Sequence, residues 1–163
     1  MGLCQNKIVQ ILIACLIPLI GGWIVSMTTM GEKEPWYSTI VKRPSWNPPD
    51  WIFAPMWSFL YICMGYASFR VYDEGDGFSG RARNPIILYI IHLIINLSWT
   101  PVFFYYHLIG AATIHIIILW VIIIINGLLF YRIDKVAGIL FIPYAAWVTF
   151  ASYLCFTIWR LNS

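Results

Sequence analysis

The sequence predicts an all-α integral membrane protein, a single transmembrane domain over residues 1–163 that forms a bundle of five transmembrane helices. Of the 163 residues, 61% are hydrophobic and 10% are charged, against about 25% charged in ordinary soluble domains. The charges are clustered and leave charge-free segments of 24, 19, 48 and 24 residues, at residues 8–31, 51–69, 84–131 and 136–159. A helix needs about 20 apolar residues to cross the hydrocarbon core, so three segments hold one helix each and the longest holds two.

The first helix is predicted over residues 8–27, and a long connection over residues 28–49 follows it. Lys7 precedes an apolar run that lacks a small-x-small cleavage site, which favours an uncleaved helix over a signal peptide. The connection is rich in tryptophan and proline, and each proline fixes its own φ. We therefore expect a stiff loop that can act as a lid.

The remaining helices are predicted over residues 51–72, 85–105, 110–130 and 137–160. Asp50 is placed to cap the second helix. An acidic, glycine-rich turn leads to the third helix, where Asn84-Pro85 has the pattern of an N-cap and first helical residue. The break in the longest charge-free segment is expected between Tyr105 and Gly110, because tyrosines suit a membrane interface and glycine suits a turn.

Tryptophans deep in the predicted helices need either a packing partner or a polar cavity. Trp147 lies about 15 Å along the fifth helix and Trp120 lies equally deep in the fourth, and a buried indole N–H wants an acceptor. Helical spacing leaves two alternatives open with equal weight, a packing seam with an asparagine hydrogen bond and a small-molecule pocket. The faces concerned are Ala54, Trp57, Tyr61 and Met64; His92, Asn96, Trp99 and Phe103; and Pro143, Trp147, Ala151 and Leu154.

The sequence offers little for catalysis or for a metal. The charge-free segments contain no carboxylate that could act in acid–base chemistry or orient a histidine. His92, His107 and His115 could in principle ligate haem iron, but none carries an attachment motif. We expect no metal site, no cofactor and no dedicated catalytic residue. Since the basic residues are split among loops, we also expect no nucleic-acid partner.

Several aromatic and proline motifs run along nearly the whole chain. They are Trp36-Tyr37, Lys42-Arg43-Pro44-Ser45-Trp46-Asn47-Pro48-Pro49-x-Trp51, Ala54-Pro55-Met56-Trp57, Asn96-x-x-Trp99-x-Pro101, Pro143-Tyr144-x-x-Trp147 and Trp159-Arg160-Leu161-Asn162. In combination they resemble the translocator protein family, also called the TspO/MBR family, tryptophan-rich sensory proteins or peripheral-type benzodiazepine receptors.

The resemblance implies a five-helix membrane fold with a pocket under the first loop for porphyrins, sterols and isoquinoline or benzodiazepine-type drugs. It relates Trp57 and Trp147 to porphyrin binding and to light-dependent porphyrin breakdown. The segments at residues 64–68 and 130–132 are similar to eukaryotic members, which implies the mitochondrial outer membrane. The other pocket positions that the resemblance implies are Ala54, Asn96, Trp99, Ala151 and Leu154.

The chain departs from the family pattern at a few positions. Leu97 stands where many members have tryptophan, and His92 stands where a glutamine is common. Cys155 replaces a usual asparagine, and the loss of that polar contact is expected to change ligand preference. Phe156 replaces the tyrosine of a sterol-recognition pattern, so the chain does not satisfy that pattern.

Three functional hypotheses follow. In the first, a membrane binding protein stacks Trp57, Trp99 and Trp147 on a flat ligand, contacts it through Asn96 and closes the loop over it. The alternative is a light- and oxygen-dependent porphyrin-degrading enzyme that uses Trp57 and Trp147. A passive scaffold or transporter is the third, since the spans contain no intramembrane acid for proton coupling. A homodimer could use small residues for close packing, namely Gly65, Gly110 and the Ala151/Cys155 pair.

Overall fold

The computed structural model describes the backbone of residues 2–163, and the side chains of this range apart from residues 2–6, 30 and 32–35. Five segments are long and apolar enough to cross a membrane, and the secondary structure of the described residues is helical, which confirms the predicted fold class. The helices are α1 (Gly2–Thr39), α2 (Phe53–Glu74), α3 (Arg83–Phe104), α4 (Ile109–Ile133), α5 (Lys135–Ile139) and α6 (Phe141–Asn162), with 3-10 turns at Asp50–Ile52 and Gly77–Ser79.

Helix α1 continues beyond its predicted end. It reaches Thr39, so the connection predicted over residues 28–49 is non-helical only over residues 40–49, and the prediction was wrong for the first part of that range. The predicted end relied on the charged residues that follow the apolar run. Charge ends an apolar span, but glutamate and lysine are good helix formers, so the helix continues beyond Thr29, where the apolar span ends.

The last predicted helix is divided in two. Leu140 separates the short helix α5 from α6, and the two together make one apolar span over Lys135–Asn162. The side chain of Asp134 starts α5 by accepting a hydrogen bond from the backbone N–H of Ala137 at 2.7 Å. A cap of this kind satisfies one of the free N–H groups of a helix start.

The long helices form a ring in the order α1, α2, α6, α4 and α3, and α2 also contacts α3 and α4 across the centre. Side chains such as Met64, Ile123 and Tyr144 fill the interior with at most 1% exposure. Leu12 and Ile94 are among many large apolar side chains that face outward, as a lipid environment requires.

Small residues let the helices approach closely within the chain. At Gly65 a methyl group would lie 2.6 Å from the Cα atom of Cys15 on α1, so only glycine fits there. Gly110 packs against Trp159. The Cys155 thiol lies 3.3 Å from the hydroxyl of Thr113 on α4. Gly65, Gly110 and Cys155 therefore serve packing inside one chain.

An ion pair fastens the end of α2 to the turn between α4 and α5. Arg70 donates from Nε to Oδ1 of Asp134 at 3.0 Å and from Nη2 to Oδ2 at 2.6 Å. Two parallel bonds of this kind are among the stronger polar contacts in proteins. The hydrogen bonds from Arg70 hold the pKa of the Asp134 carboxyl below its ordinary value of 3.8, so the pair is charged at neutral pH.

We expect Asp134→Asn to lower the free energy of unfolding by about 2 kcal/mol at neutral pH, because a charged hydrogen bond is lost. The folded-state pKa is depressed, so the pair stabilises the fold above pH 3.8 and loses its contribution as the pH falls through the lowered pKa. Thermal unfolding in detergent at a series of pH values measures the difference from the unsubstituted protein, which should shrink below about pH 4. Asp76→Asn, at an exposed position, is the control, and a pH-independent difference would contradict the ion pair.

Candidate functional site

A buried polar network joins three helices in the interior of the bundle. Tyr61 on α2 donates its hydroxyl hydrogen to Oδ1 of Asn96 on α3 at 2.9 Å, and Nδ2 of Asn96 donates to the hydroxyl oxygen of Tyr144 on α6 at 2.7 Å. Nε2 of His92 lies 2.9 Å from the same hydroxyl oxygen. Because Tyr144 accepts from Asn96, its own hydrogen is available to His92, which favours a neutral imidazole that accepts at Nε2.

Trp57 packs against this network. Its ring lies 5.7 Å from that of Tyr61 and 6.2 Å from that of Tyr144. The structure therefore brings Trp57 and Asn96, two of the predicted site residues, together through the two tyrosines that they share. The partners of Asn96 are protein groups, which is the geometry of the packing-seam alternative.

An apolar groove of about 640 Å³ lies between α2 and α6. Its volume is within the range of about 300–1,000 Å³ that is usual for small-molecule sites. Trp147 forms part of the wall, and its indole N–H is buried and has no hydrogen-bond partner among the described residues. The complete wall consists of Ile52, Pro55, Met56, Phe59, Pro143, Ala146, Trp147 and Phe150.

The other predicted site residues are not among those that line this wall. The indole of Trp99 donates to the backbone carbonyl of Ala112 on α4 at 2.9 Å, and its ring stacks on Phe103 at 5.1 Å. Leu154 is buried in the core with 5% exposure. Ala151 is half-buried, and Ala54 is exposed.

The connection over residues 40–49 is fastened to α6. Asn162 bonds the backbone of Lys42 in both directions, since it accepts from Lys42 N–H at 2.9 Å and donates to Lys42 C=O at 2.9 Å. The ring of Trp46 stacks on Tyr153 at 5.3 Å and meets the edge of Phe150 at 6.1 Å. Because Phe150 belongs to the groove wall, this connection reaches one end of the groove.

A polar pocket of about 690 Å³ is formed by the same connection and by the residues at its two ends. The guanidinium of Arg43 sits 4.9 Å above the ring of Tyr37 and 3.5 Å from the Asp50 carboxylate. Burial raises the pKa of Tyr37 to about 12, so its hydroxyl stays protonated and donates to Asn47 at 3.1 Å. The pocket is lined by Ser38, Val41, Arg43, Pro44, Asn47, Pro48, Pro49 and Asp50.

The prediction of site residues did not include this polar pocket. Most of the residues concerned stand in the Lys42 to Trp51 motif, which was used to identify a resemblance and to predict a stiff loop that can act as a lid. The sequence signal that could have indicated the pocket is the pair Arg43 and Asp50, which a proline-rich run separates. The fold of this run brings the two charges close together. In the part of the chain that the structure describes, no group of three or more His, Cys, Asp or Glu side chains could hold a metal ion.

Comparison with known proteins shows to which family the sequence is similar. A profile of the TspO/MBR family matches residues 14–160. The chain is 39% identical to the tryptophan-rich protein TspO of Chlorobaculum tepidum, over 97% of this chain and 99% of the relative. It is 36% identical to the translocator protein of Sus scrofa, over 90% of this chain and 86% of the relative. It is also 35% identical to the tryptophan-rich sensory protein of Cereibacter sphaeroides, over 80% of this chain and 79% of the relative.

We expect Tyr144→Phe to lower the free energy of unfolding by about 1–3 kcal/mol, because the amide of Asn96 and Nε2 of His92 both lose their buried partner. Thermal unfolding in detergent measures the loss. Tyr153→Phe is the control, since Tyr153 is exposed and keeps its ring contact with Trp46. Asn96→Leu and Tyr144→Phe should be non-additive when combined, and additive effects would count against the network.

Proposed function

Because the chain belongs to the TspO/MBR family, we propose that this integral membrane protein binds flat, largely apolar ligands, with porphyrins as the main class. Sterols and isoquinoline or benzodiazepine-type compounds are the further classes that the family resemblance suggests. The observation that carries the proposal is the apolar groove between α2 and α6, in which the ring of Trp147 forms part of the wall.

The groove supplies the two kinds of contact that such a ligand needs. Met56, Phe59 and Phe150 offer apolar surface, and each aromatic contact adds about 0.5–1.5 kcal/mol beyond the burial of area. The N–H of Trp147 adds a donor that the described residues leave unpartnered. An acceptor atom on the ligand would remove the cost of burying that donor.

The other predicted residues support this wall in the proposal. Trp57 and Asn96 belong to the hydrogen-bonded interior behind α2, so they hold the wall in position. Trp99, Ala151 and Leu154 would influence the ligand through helix packing, and Ala54 lies beside the wall residue Pro55 in the sequence. In this proposal Trp147 is the residue that contacts the ligand most directly.

We also propose that binding assists the passage of such ligands across a membrane. The mitochondrial outer membrane stays a prediction that depends on the resemblance of residues 64–68 and 130–132 to eukaryotic members, and the relatives come from bacteria as well as mammals. A homodimer also stays a prediction. It would need a face other than Gly65, Gly110 and Cys155, which pack within the chain.

We expect Trp147→Leu to weaken the binding of protoporphyrin at least about fivefold, because one aromatic contact and one donor are lost together. Quenching of tryptophan fluorescence during titration of the purified protein measures the dissociation constant. Trp23→Leu is the control for the loss of one indole outside the groove wall, since Trp23 is 57% exposed on α1 and its N–H donates to the hydroxyl of Ser58 at 3.3 Å. Equal affinities of the Trp147 variant and the unsubstituted protein would overturn the proposed site.

Light-dependent porphyrin breakdown is the second candidate function, and the placement of Trp147 at the groove favours a test of it. The test follows porphyrin absorbance under illumination in the unsubstituted protein and in the Trp57→Phe/Trp147→Phe variant. If the protein only binds porphyrin, we expect the absorbance to fall at the same rate per bound molecule in both. The comparison is made at equal bound fractions, with dark samples as controls. Faster loss in the unsubstituted protein would instead establish turnover by the two indoles.

A further inference from the structure

We propose that Arg43 binds a carboxylate at the edge of the ligand, so that the protein selects flat apolar ligands that carry an acidic group over neutral ligands of the same shape. This inference rests on the proposed function, because it requires the apolar body of the ligand to lie in the groove between α2 and α6. The polar pocket formed by the connection over residues 40–49 then receives the acidic edge.

One short turn contributes a lining residue to the polar pocket and another to the apolar groove. Asp50 lines the polar pocket and Ile52 lines the groove, and both belong to the 3-10 turn Asp50–Ile52. Such a turn rises about 2 Å per residue, so the two lining residues lie within a single turn of each other. Trp46 makes a second link, because it stands between the pocket residues Pro44 and Asn47 in the chain and contacts the groove residue Phe150.

Arg43 is the basic side chain of the polar pocket among the described residues, and it is held in a fixed orientation. Its guanidinium lies over the ring of Tyr37 at 4.9 Å, and this packing against an aromatic face restricts its rotation. The side chain is 29% exposed, so a ligand can reach it. Guanidinium binds carboxylate through two parallel N–H bonds, which a neutral ester cannot match in charge.

Asp50 competes with the ligand for the same guanidinium. The contact is 3.5 Å between Nη1 of Arg43 and Oδ1 of Asp50, which is longer than the usual 2.7–2.9 Å of a charged hydrogen bond. A guanidinium has five N–H donors, so the contacts of Arg43 with Asp50 and Tyr37 leave donors for a ligand. The carboxylate nevertheless opposes the approach of a second anion. Removal of the Asp50 charge should therefore strengthen acid binding, and removal of the Arg43 charge should weaken it.

The backbone around Arg43 is restrained from both sides. The adjacent residue Lys42 is bonded through its N–H and C=O groups to Asn162 on α6, and Asn47 accepts the hydroxyl hydrogen of Tyr37. Little ordering of the connection is then required when a ligand binds, so the pocket can contribute to specificity. Lys42 itself is exposed and does not line the pocket, which makes its side chain a matched control for the loss of one positive charge.

The test compares protoporphyrin IX, which carries two carboxylates, with its neutral dimethyl ester on the full chain in detergent. The ratio of the ester dissociation constant to the acid dissociation constant is measured for each variant, so that partition of the probes into detergent cancels between variants. We expect the unsubstituted protein to bind the acid at least about fivefold more tightly than the ester. Arg43→Gln should reduce the ratio of dissociation constants at least about fivefold. Asp50→Asn should raise that ratio. Lys42→Gln should change the ratio less than about twofold.

Each outcome is decisive for one of the two proposals. Tight binding of both probes with equal affinity, or equal weakening of both probes by Arg43→Gln, would overturn the role of Arg43 and leave the groove proposal intact. Failure of both probes to bind the unsubstituted protein would overturn the proposed function itself. If Arg43→Gln does not fold, Asp50→Asn still tests the proposal. A merely structural ion pair would lower the affinity for both probes when Asp50 is changed, whereas the proposed role raises the ratio of the ester to the acid dissociation constant.

Discussion

The hydrocarbon core of a bilayer offers no hydrogen-bond partner, so polar side chains inside it must find partners within the protein. This constraint organises the interior of the bundle. Asn96 on α3 is hydrogen-bonded to Tyr61 on α2 and to Tyr144 on α6. Trp120 on α4 reaches the hydroxyl of Thr149 on α6 at 2.7 Å. Hydrogen bonds of this kind between helices help to fix the relative positions of the helices. The groove between α2 and α6 follows from these positions. The indole N–H of Trp147 is buried without a partner among the described residues, as is the amide of Asn126 on α4, and Trp147 also forms part of the groove wall.

The same bilayer explains how much of the fold the sequence could predict. The thickness of the hydrocarbon core sets the length of a charge-free segment, so the five spans followed from the positions of charged residues and agree with the observed spans within a few residues. The end of α1 at Thr39 did not follow, because charge marks where the membrane ends and not where the helix ends. The division at Leu140 did not follow either, since the start of α5 depends on a cap from Asp134, whose other oxygen is held by Arg70 on α2.

Helical spacing predicted which side chains share a face, but it could not predict which neighbouring helix that face meets. Asn96 and Trp99 are three residues apart on α3, yet Asn96 points to α2 and α6 while Trp99 points to α4. Trp57 and Trp147 also face different surroundings, one the tyrosines of the interior and the other the groove. The contact between Lys42 and Asn162 joins residues that are 120 positions apart, so nothing local in the sequence indicates it. For this reason the polar pocket around Arg43 appears only in the folded chain.

The position of Cys155 bears on what determines ligand preference. The sequence comparison with the family pattern suggested that loss of an asparagine at this position would change the ligand contacts. In the structure the Cys155 thiol is 3% exposed and lies against Thr113 on α4, on the side of α6 away from the groove wall. A side chain in that position adjusts the packing of α4 on α6 and reaches the groove only through a shift of α6. If flat ligands bind in the groove as proposed, the groove residues and the charges of Arg43 and Asp50 would decide the preference among them. An apolar wall alone discriminates weakly between molecules of similar shape.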